Sequence, residues 1–186
     1  RLKKELEKLE RHRSLIRKGR KRKDFFTVAL IGYTNVGKST LLNSLTGARA
    51  FVEDKLFATL DPMTRLVQRP GSKNILFTDT VGFLRDLPHG LIEAFHSTLE
   101  EVTEADYLLH VLDASSSHID EQKAAVEVVL AGLHAAEKPI LLVLNKCDLL
   151  SEEEKSALRL KYPDAVQISA KQKSGFDLIY AKLPSS

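Results

Sequence analysis

The eight residues Gly32-Tyr33-Thr34-Asn35-Val36-Gly37-Lys38-Ser39 constrain this chain more than any other stretch. They match the Walker A pattern, with an apolar run before them and an apolar-periodic segment after them. That order calls for a strand, a tight loop and a helix. The glycines let the backbone curl until several N–H groups point inward, and the helix N-terminus adds partial positive charge at the same spot. Such a cradle suits phosphate oxygens. Lys38 is expected to bridge β- and γ-phosphates and the Ser39 hydroxyl to ligate Mg²⁺, with Thr40 following in the first helical turn. Taken alone, the stretch also reads as a plain glycine-rich turn, so the rest of the chain has to decide.

From residue 25 onward the pattern of strand, loop and helix repeats. Apolar runs rich in β-branched or aromatic residues occupy 26–31, 74–78, 107–112, 140–144 and 165–168. Their near-continuous apolar character predicts strands buried on both faces of a mostly parallel sheet. Residues 65–69 alternate more and read as an exposed edge strand. Helices are expected at 38–45, about 89–102, 119–134, 152–161 and 176–183, the fourth opened by a Ser151…Glu154 capping box. The result is a three-layer α/β fold of about six strands, with right-handed crossovers and ligand sites at the carboxyl ends of the strands.

Charge divides the chain in two. Residues 1–23 carry 12 Lys and Arg against three Glu, whereas the remainder carries 16 against 22. Leu2, Leu6, Leu9 and Ile16 form one narrow stripe at helical spacing, so 1–23 reads as a basic amphipathic helix and linker ahead of a domain spanning 24–184. A basic arm on an acidic body suits a polyanionic partner, and a solvated charged helix is the plainer reading. Opening on Arg1 rather than Met, the chain reads as a piece of something longer. A single cysteine, Cys147, excludes an intrachain disulfide, and no apolar run approaches the roughly 18 residues of a membrane span. The first residues lack the pattern of a secretory signal, so a cytoplasmic setting is expected.

Two further elements belong with the phosphate loop. Asp79-Thr80-Val81-Gly82 follows an apolar strand; a carboxylate there can hold Mg²⁺ through water, and Gly82 lets its backbone N–H approach a γ-phosphate. Alone this is a common turn, but downstream of a Walker A lysine it is strong evidence. The segment from Phe57 to Arg65 is expected to be a loop offering a threonine to Mg²⁺ and the γ-phosphate, with Thr59 the first choice and Thr64 the reserve. Such a loop orders only around the γ-phosphate, the physical basis of a switch. Lys38, Thr59 and Gly82 are the expected catalytic residues, and Ser39, Thr59 and Asp79 the expected metal ligands.

The base is read elsewhere. Asn145-Lys146-Cys147-Asp148 follows another apolar strand. Asp148 can accept two hydrogen bonds from guanine, whereas adenine lacks that donor pair; a site of this kind discriminates by roughly 10⁴-fold. The stem of Lys146 can cover one face of the base, while Asn145 ties its loop to the phosphate loop. Ser169-Ala170-Lys171 can bring the Ala170 N–H to the guanine carbonyl oxygen. A capping turn and a surface loop are the bland readings of the two motifs, and their order along the chain weighs against both.

In this order the motifs resemble those of the translation-factor-related P-loop GTPases, which implies a Ras-like G domain. The stretch from Leu56 to Pro62, and Asp79-Thr80-Val81-Gly82-Phe83-Leu84-Arg85-Asp86-Leu87-Pro88-His89 continuing to Ala94-Phe95 and Thr98-Leu99-Glu100-Glu101, look like the HflX family of ribosome-associated GTPases. The likeness covers essentially 23–183, and 1–22 is similar to that family's helical linker. On that likeness, the family's N-terminal domain is expected to lie outside this sequence. Met63 stands where the family often has threonine. The resemblance implies GTP and GDP as ligands, association with the large ribosomal subunit and its RNA, and a splitting or rescue role, with a monomer expected.

Catalysis then has a gap. Ras-type enzymes place a glutamine after the glycine of Asp-x-x-Gly; here that position is Phe83, which neither donates nor accepts a hydrogen bond. Slow intrinsic turnover is expected, with something else orienting the water. One candidate is K⁺ beside the phosphates, held in part by the Asn35 amide, against a plain loop-stabilising role for that side chain. Another is a partner such as the ribosome. A ribosome- or nucleic-acid-binding module with incidental turnover is the reading from a different class, and Asp148 argues against a P-loop ATPase. The six histidines show no metal-ligand spacing, and Cys147 reads as a small filler. Arg85 and Asp86 lie in the loop expected to move, where partner contact and solvation are equally consistent with the sequence.

Overall fold

The computed structural model describes residues 25–47, 63–68, 73–80, 82 and 96–184. The expected basic helix within 1–23, Thr59, Phe83, Arg85 and Asp86 lie outside the described residues. Six strands form one sheet in the order β2-β3-β1-β4-β5-β6. They are β1 (Phe26–Gly32), β2 (Met63–Val67), β3 (Ile75–Asp79), β4 (Tyr107–Asp113), β5 (Ile140–Asn145) and β6 (Val166–Gln167). Every neighbouring pair is parallel except β2–β3, which is antiparallel. The alternating segment expected at 65–69 is therefore an edge strand, but it begins at Met63. Thr64 thus lies in a strand rather than in the expected loop, and the Thr64 and Thr78 hydroxyls sit 3.0 Å apart across β2 and β3.

Among the described residues five helices flank the sheet: α1 (Lys38–Thr46), α2 (His96–Glu104), α3 (Ile119–Gly132), α4 (Glu152–Lys161) and α5 (Phe176–Lys182). Side chains along a strand point alternately to opposite faces. Val28 and Leu30 of β1 therefore pack with Leu41 and Leu42 of α1 and Ile179 of α5, while Ala29 and Ile31 pack with Val102 of α2 and Val126 and Leu130 of α3. Both faces of the central strands are covered, which is why their sequence shows runs rather than alternation. A third cluster joins Leu112 and Leu144 to Ile119 of α3 and Leu158 of α4. Three layers result.

Helix ends follow their local chemistry. Ser151 Oγ accepts from the Glu154 N–H at 3.2 Å, and Glu154 Oε2 accepts from the Ser151 N–H at 2.8 Å, completing the expected capping box. Three glutamates in the first turn of α4, with Arg159 and Lys161 in the last, complement its dipole. Helix α3 stops at Gly132, two residues before the expected end, and His134 adopts the left-handed conformation at φ 53°. No described helix is long and apolar enough to cross a membrane.

Candidate functional site

Strand β1 delivers the chain into the loop at the carboxyl edge of the sheet, and α1 carries it away. Asn35 turns the loop at φ 60° and Gly37 at φ 94°, the latter closing directly onto α1. A Cβ at Gly37 would lie 2.5 Å from Asn145 Nδ2, so only glycine fits between the two loops. Lys38 is buried, its Nζ donating to the Tyr33 carbonyl at 2.9 Å and the Gly32 carbonyl at 3.3 Å. Burial pulls the ammonium pKa down to about 8, with the Asp79 charge opposing the shift.

Asp79 ends β3 fully buried, and the Ser39 hydroxyl donates to its Oδ2 at 2.5 Å. The following Thr80 pins that strand end to β1 through a 2.6 Å bond from its hydroxyl to the Leu30 carbonyl. Gly82 lies against the phosphate loop; a Cβ there would come within 2.8 Å of Thr34 Cγ2, 2.9 Å of Thr34 Cα and 3.1 Å of Lys38 Nζ. Of the expected metal ligands the structure brings Ser39 and Asp79 together. Among the described residues no group of three or more His, Cys, Asp or Glu is arranged to hold a metal. One carboxylate and one hydroxyl in contact, beside a phosphate loop, form a hard-oxygen set that fits Mg²⁺, which commonly completes its shell with water and substrate phosphates. The fit is chemical.

The second half of the site hangs on Asn145 at the end of β5. Its Nδ2 donates to the Val36 carbonyl at 2.8 Å and its Oδ1 accepts from the Ala170 N–H at 2.9 Å. The tie between base loop and phosphate loop that the sequence suggests is thus present. The same bond alters the expectation for Ala170, whose N–H is engaged by Asn145 Oδ1 and would have to be shared to serve a guanine oxygen. Ser169 Oγ donates to Asp148 Oδ1 at 2.5 Å and accepts from the Gln172 N–H at 3.1 Å, fixing one carboxylate oxygen. Lys171 is exposed at the rim. Lys146, at φ 65°, pairs with Asp113 Oδ2 at 2.7 Å. The Cys147 thiol donates to the Leu144 carbonyl at 3.2 Å, consistent with a small buried filler, and its pKa is raised chiefly by burial.

Sequence reasoning passed over two residues here. Ser44 of α1 donates to the Ala170 carbonyl at 2.8 Å, joining phosphate helix to base loop, and Asp113 anchors Lys146. Asp113 carried a faint signal, being polar at the carboxyl end of an apolar strand just as Asp79 is. Ser44 carried none, since the residue it meets is 126 positions away.

Fold and site together define a P-loop nucleotide-binding domain, with phosphate and base loops converging on one sheet edge. The model of the family described as 50S ribosome-binding GTPase matches residues 27–146, and the chain belongs to that family. It is similar to GTPase HflX of Caldanaerobacter subterraneus subsp. tengcongensis, with 55% identity over 172 residues, covering 92% of this chain and 39% of that protein. Against GTPase HflX of Escherichia coli K12 the identity is 43% over 180 residues, covering 96% and 42%. The resemblance to HflX GTPases is thereby borne out, and the chain spans about two fifths of the length of these relatives. Among solved structures it is similar to Era in complex with MgGDPNP and nucleotides 1506–1542 of 16S ribosomal RNA, at TM-score 0.69 and 26% identity, covering 86% of this chain and 56% of that one.

Proposed function

We propose that this chain is the GTP-binding and GTP-hydrolysing domain of a ribosome-associated switch protein, with residues 24–184 as the domain and 1–23 as a basic helical lead-in. The observation that carries the reading is the pair of hydrogen bonds of Asn145 to Val36 and Ala170, which ties a phosphate-type loop to a guanine-type base loop. In this reading Gly32, Tyr33, Thr34, Asn35, Val36, Gly37, Lys38, Ser39 and Thr40 surround the phosphates. Asn145, Lys146, Asp148, Ser169, Ala170 and Lys171 surround the base. Ser39 and Asp79 hold Mg²⁺ together with Thr59. Bound Mg²⁺ would neutralise charge on the β- and γ-phosphates. Lys38 exchanges its two carbonyl partners for phosphate oxygens, and Gly82 brings its N–H to the γ-phosphate.

Support for the ribosome as partner comes from the family description, from the RNA complex of Era and from the net charge of 1–23. A monomer in the cytoplasm suits that partner. Phosphate release from GTP and ATP, measured with and without large ribosomal subunits, tests the whole reading. GTP-selective turnover that rises with subunits is expected. Equal turnover of ATP would remove the guanine assignment, and indifference to subunits would remove the partner. A K⁺ contribution through exposed Asn35 is expected to make hydrolysis faster in KCl than in NaCl, and equal rates would dismiss it.

A further inference from the structure

Asp113 closes β4 in the way that Asp79 closes β3 and Asn145 closes β5, and Asn145 is its register partner across the sheet. Its two carboxylate oxygens are divided between two tasks. Oδ1 accepts from the Ser115 N–H at 3.0 Å and the Ser115 hydroxyl at 2.7 Å, which fixes the carboxylate plane. Oδ2 accepts from Lys146 Nζ at 2.7 Å. The Asp113 side chain is 18% exposed and that of Lys146 33%, so the pair is partly shielded from solvent.

Lys146 lies two residues before Asp148, the carboxylate that faces the base in the reading above. Two opposite charges so close in the chain attract each other, and more strongly as solvent is excluded. An untethered Lys146 ammonium would compete with guanine for Asp148. The tether prevents this. Asp148 has its Oδ1 held by the Ser169 hydroxyl, and the Lys146 ammonium is bound to Asp113.

We propose that Asp113 is a specificity-determining positioning residue of the base site, holding the Lys146 ammonium off Asp148 so that the Asp148 carboxylate reads the paired donors of guanine. This rests on the guanine-nucleotide reading, so the experiment is built in two tiers. In the first, the 186-residue chain is titrated with fluorescent mant-GDP and competed with GDP, IDP (which lacks the exocyclic amine) and ADP. No preference for GDP over ADP would overturn the guanine reading and this inference with it. In the second, Asp113→Asn keeps the volume and the acceptor for Ser115 but removes the charge. It is expected to weaken GDP binding by about tenfold and to narrow the preference for GDP over IDP. The loss should appear in KM for GTP, with kcat at saturation within about twofold.

A merely structural role would not depend on the lysine. In a Lys146→Met background, Asp113→Asn is therefore expected to have no further effect on nucleotide selectivity. Asp113→Glu should recover part of the lost affinity. A parent that discriminates, combined with an Asp113→Asn chain equally selective for GDP over IDP, overturns the inference and leaves the guanine reading standing. A loss of the same size with and without Lys146 does the same.

Discussion

The side-chain amide of Asn145 reaches the Val36 carbonyl at 2.8 Å across 109 residues of chain, and both residues are buried. Its oxygen meanwhile serves the Ala170 N–H. Asn145→Ala would leave one buried carbonyl and one buried N–H without these partners, at a cost of about 2 kcal/mol in folding stability. Urea unfolding should show that loss, with nucleotide affinity falling alongside it. Unchanged stability would mean that water replaces both bonds.

Gly82 gives a sharper separation of binding from turnover. A methyl group at this position meets Thr34 Cα, part of the loop backbone, at 2.9 Å and cannot be accommodated by rotating a side chain. Gly82→Ala is expected to displace the Asp79 to Gly82 turn from the phosphate loop. Hydrolysis should drop by about tenfold or more while mant-GDP binds within a few-fold of the parent, because only the γ-phosphate depends on that approach. Parallel losses of GDP binding and hydrolysis would contradict this.

Lys38 offers a direct test of the phosphate site. Its ammonium is buried against two backbone carbonyls, and burial already disfavours its charge. The buried Asp79 carboxylate opposes that shift, so removing the lysine alone leaves a buried negative charge without its nearby cation, which destabilises the fold. Lys38→Met should therefore melt below the parent without nucleotide and, assayed at a temperature where both remain folded, lose GTP turnover by about a hundredfold or more. Retained turnover would exclude Lys38 from the chemistry.

His110 predicts how the fold responds to acid. It stands on β4, 2% exposed, and burial first, then the charges of Lys123 and Lys38, lower its pKa to about 4. The unfolded chain takes up a proton near the ordinary value of 6.5. The stability associated with neutral His110 is therefore complete above pH 6.5 and is lost as the pH falls towards 4, a span of about 3 kcal/mol. Urea midpoints of the parent and of His110→Leu at pH 7.5 and 4.5 check this. The variant should show the flatter dependence, and equal slopes would acquit His110.

What the sequence reveals here depends on how far apart the partners lie. Strands β1, β3, β4 and β5 are legible because burial on both faces leaves unbroken apolar runs, and α4 because its capping box is complete within four residues. The candidate phosphate and base motifs stand out because each is contiguous at a strand's end. Strand β6 is only two residues long, and α3 ends early at a left-handed turn that periodicity does not register. Thr64 looked like a loop residue because its antiparallel partner, β3, lies beyond any local window. The engagement of the Ala170 N–H by Asn145, and the hold of Asp113 on Lys146, are tertiary facts with no local pattern to announce them.

Helix α1 begins with Lys38, carries Ser39 against Asp79, and five residues later carries Ser44 against the Ala170 carbonyl. One short rod thus touches both the acidic strand end and the loop beside the base. An ion or phosphate that shifted the first contact would move the same body that holds the second, and by linkage the reverse would hold as well. In the proposed reading, affinity for the metal and affinity for the purine would then not be separate properties of two loops but linked readings of the position of a single lever.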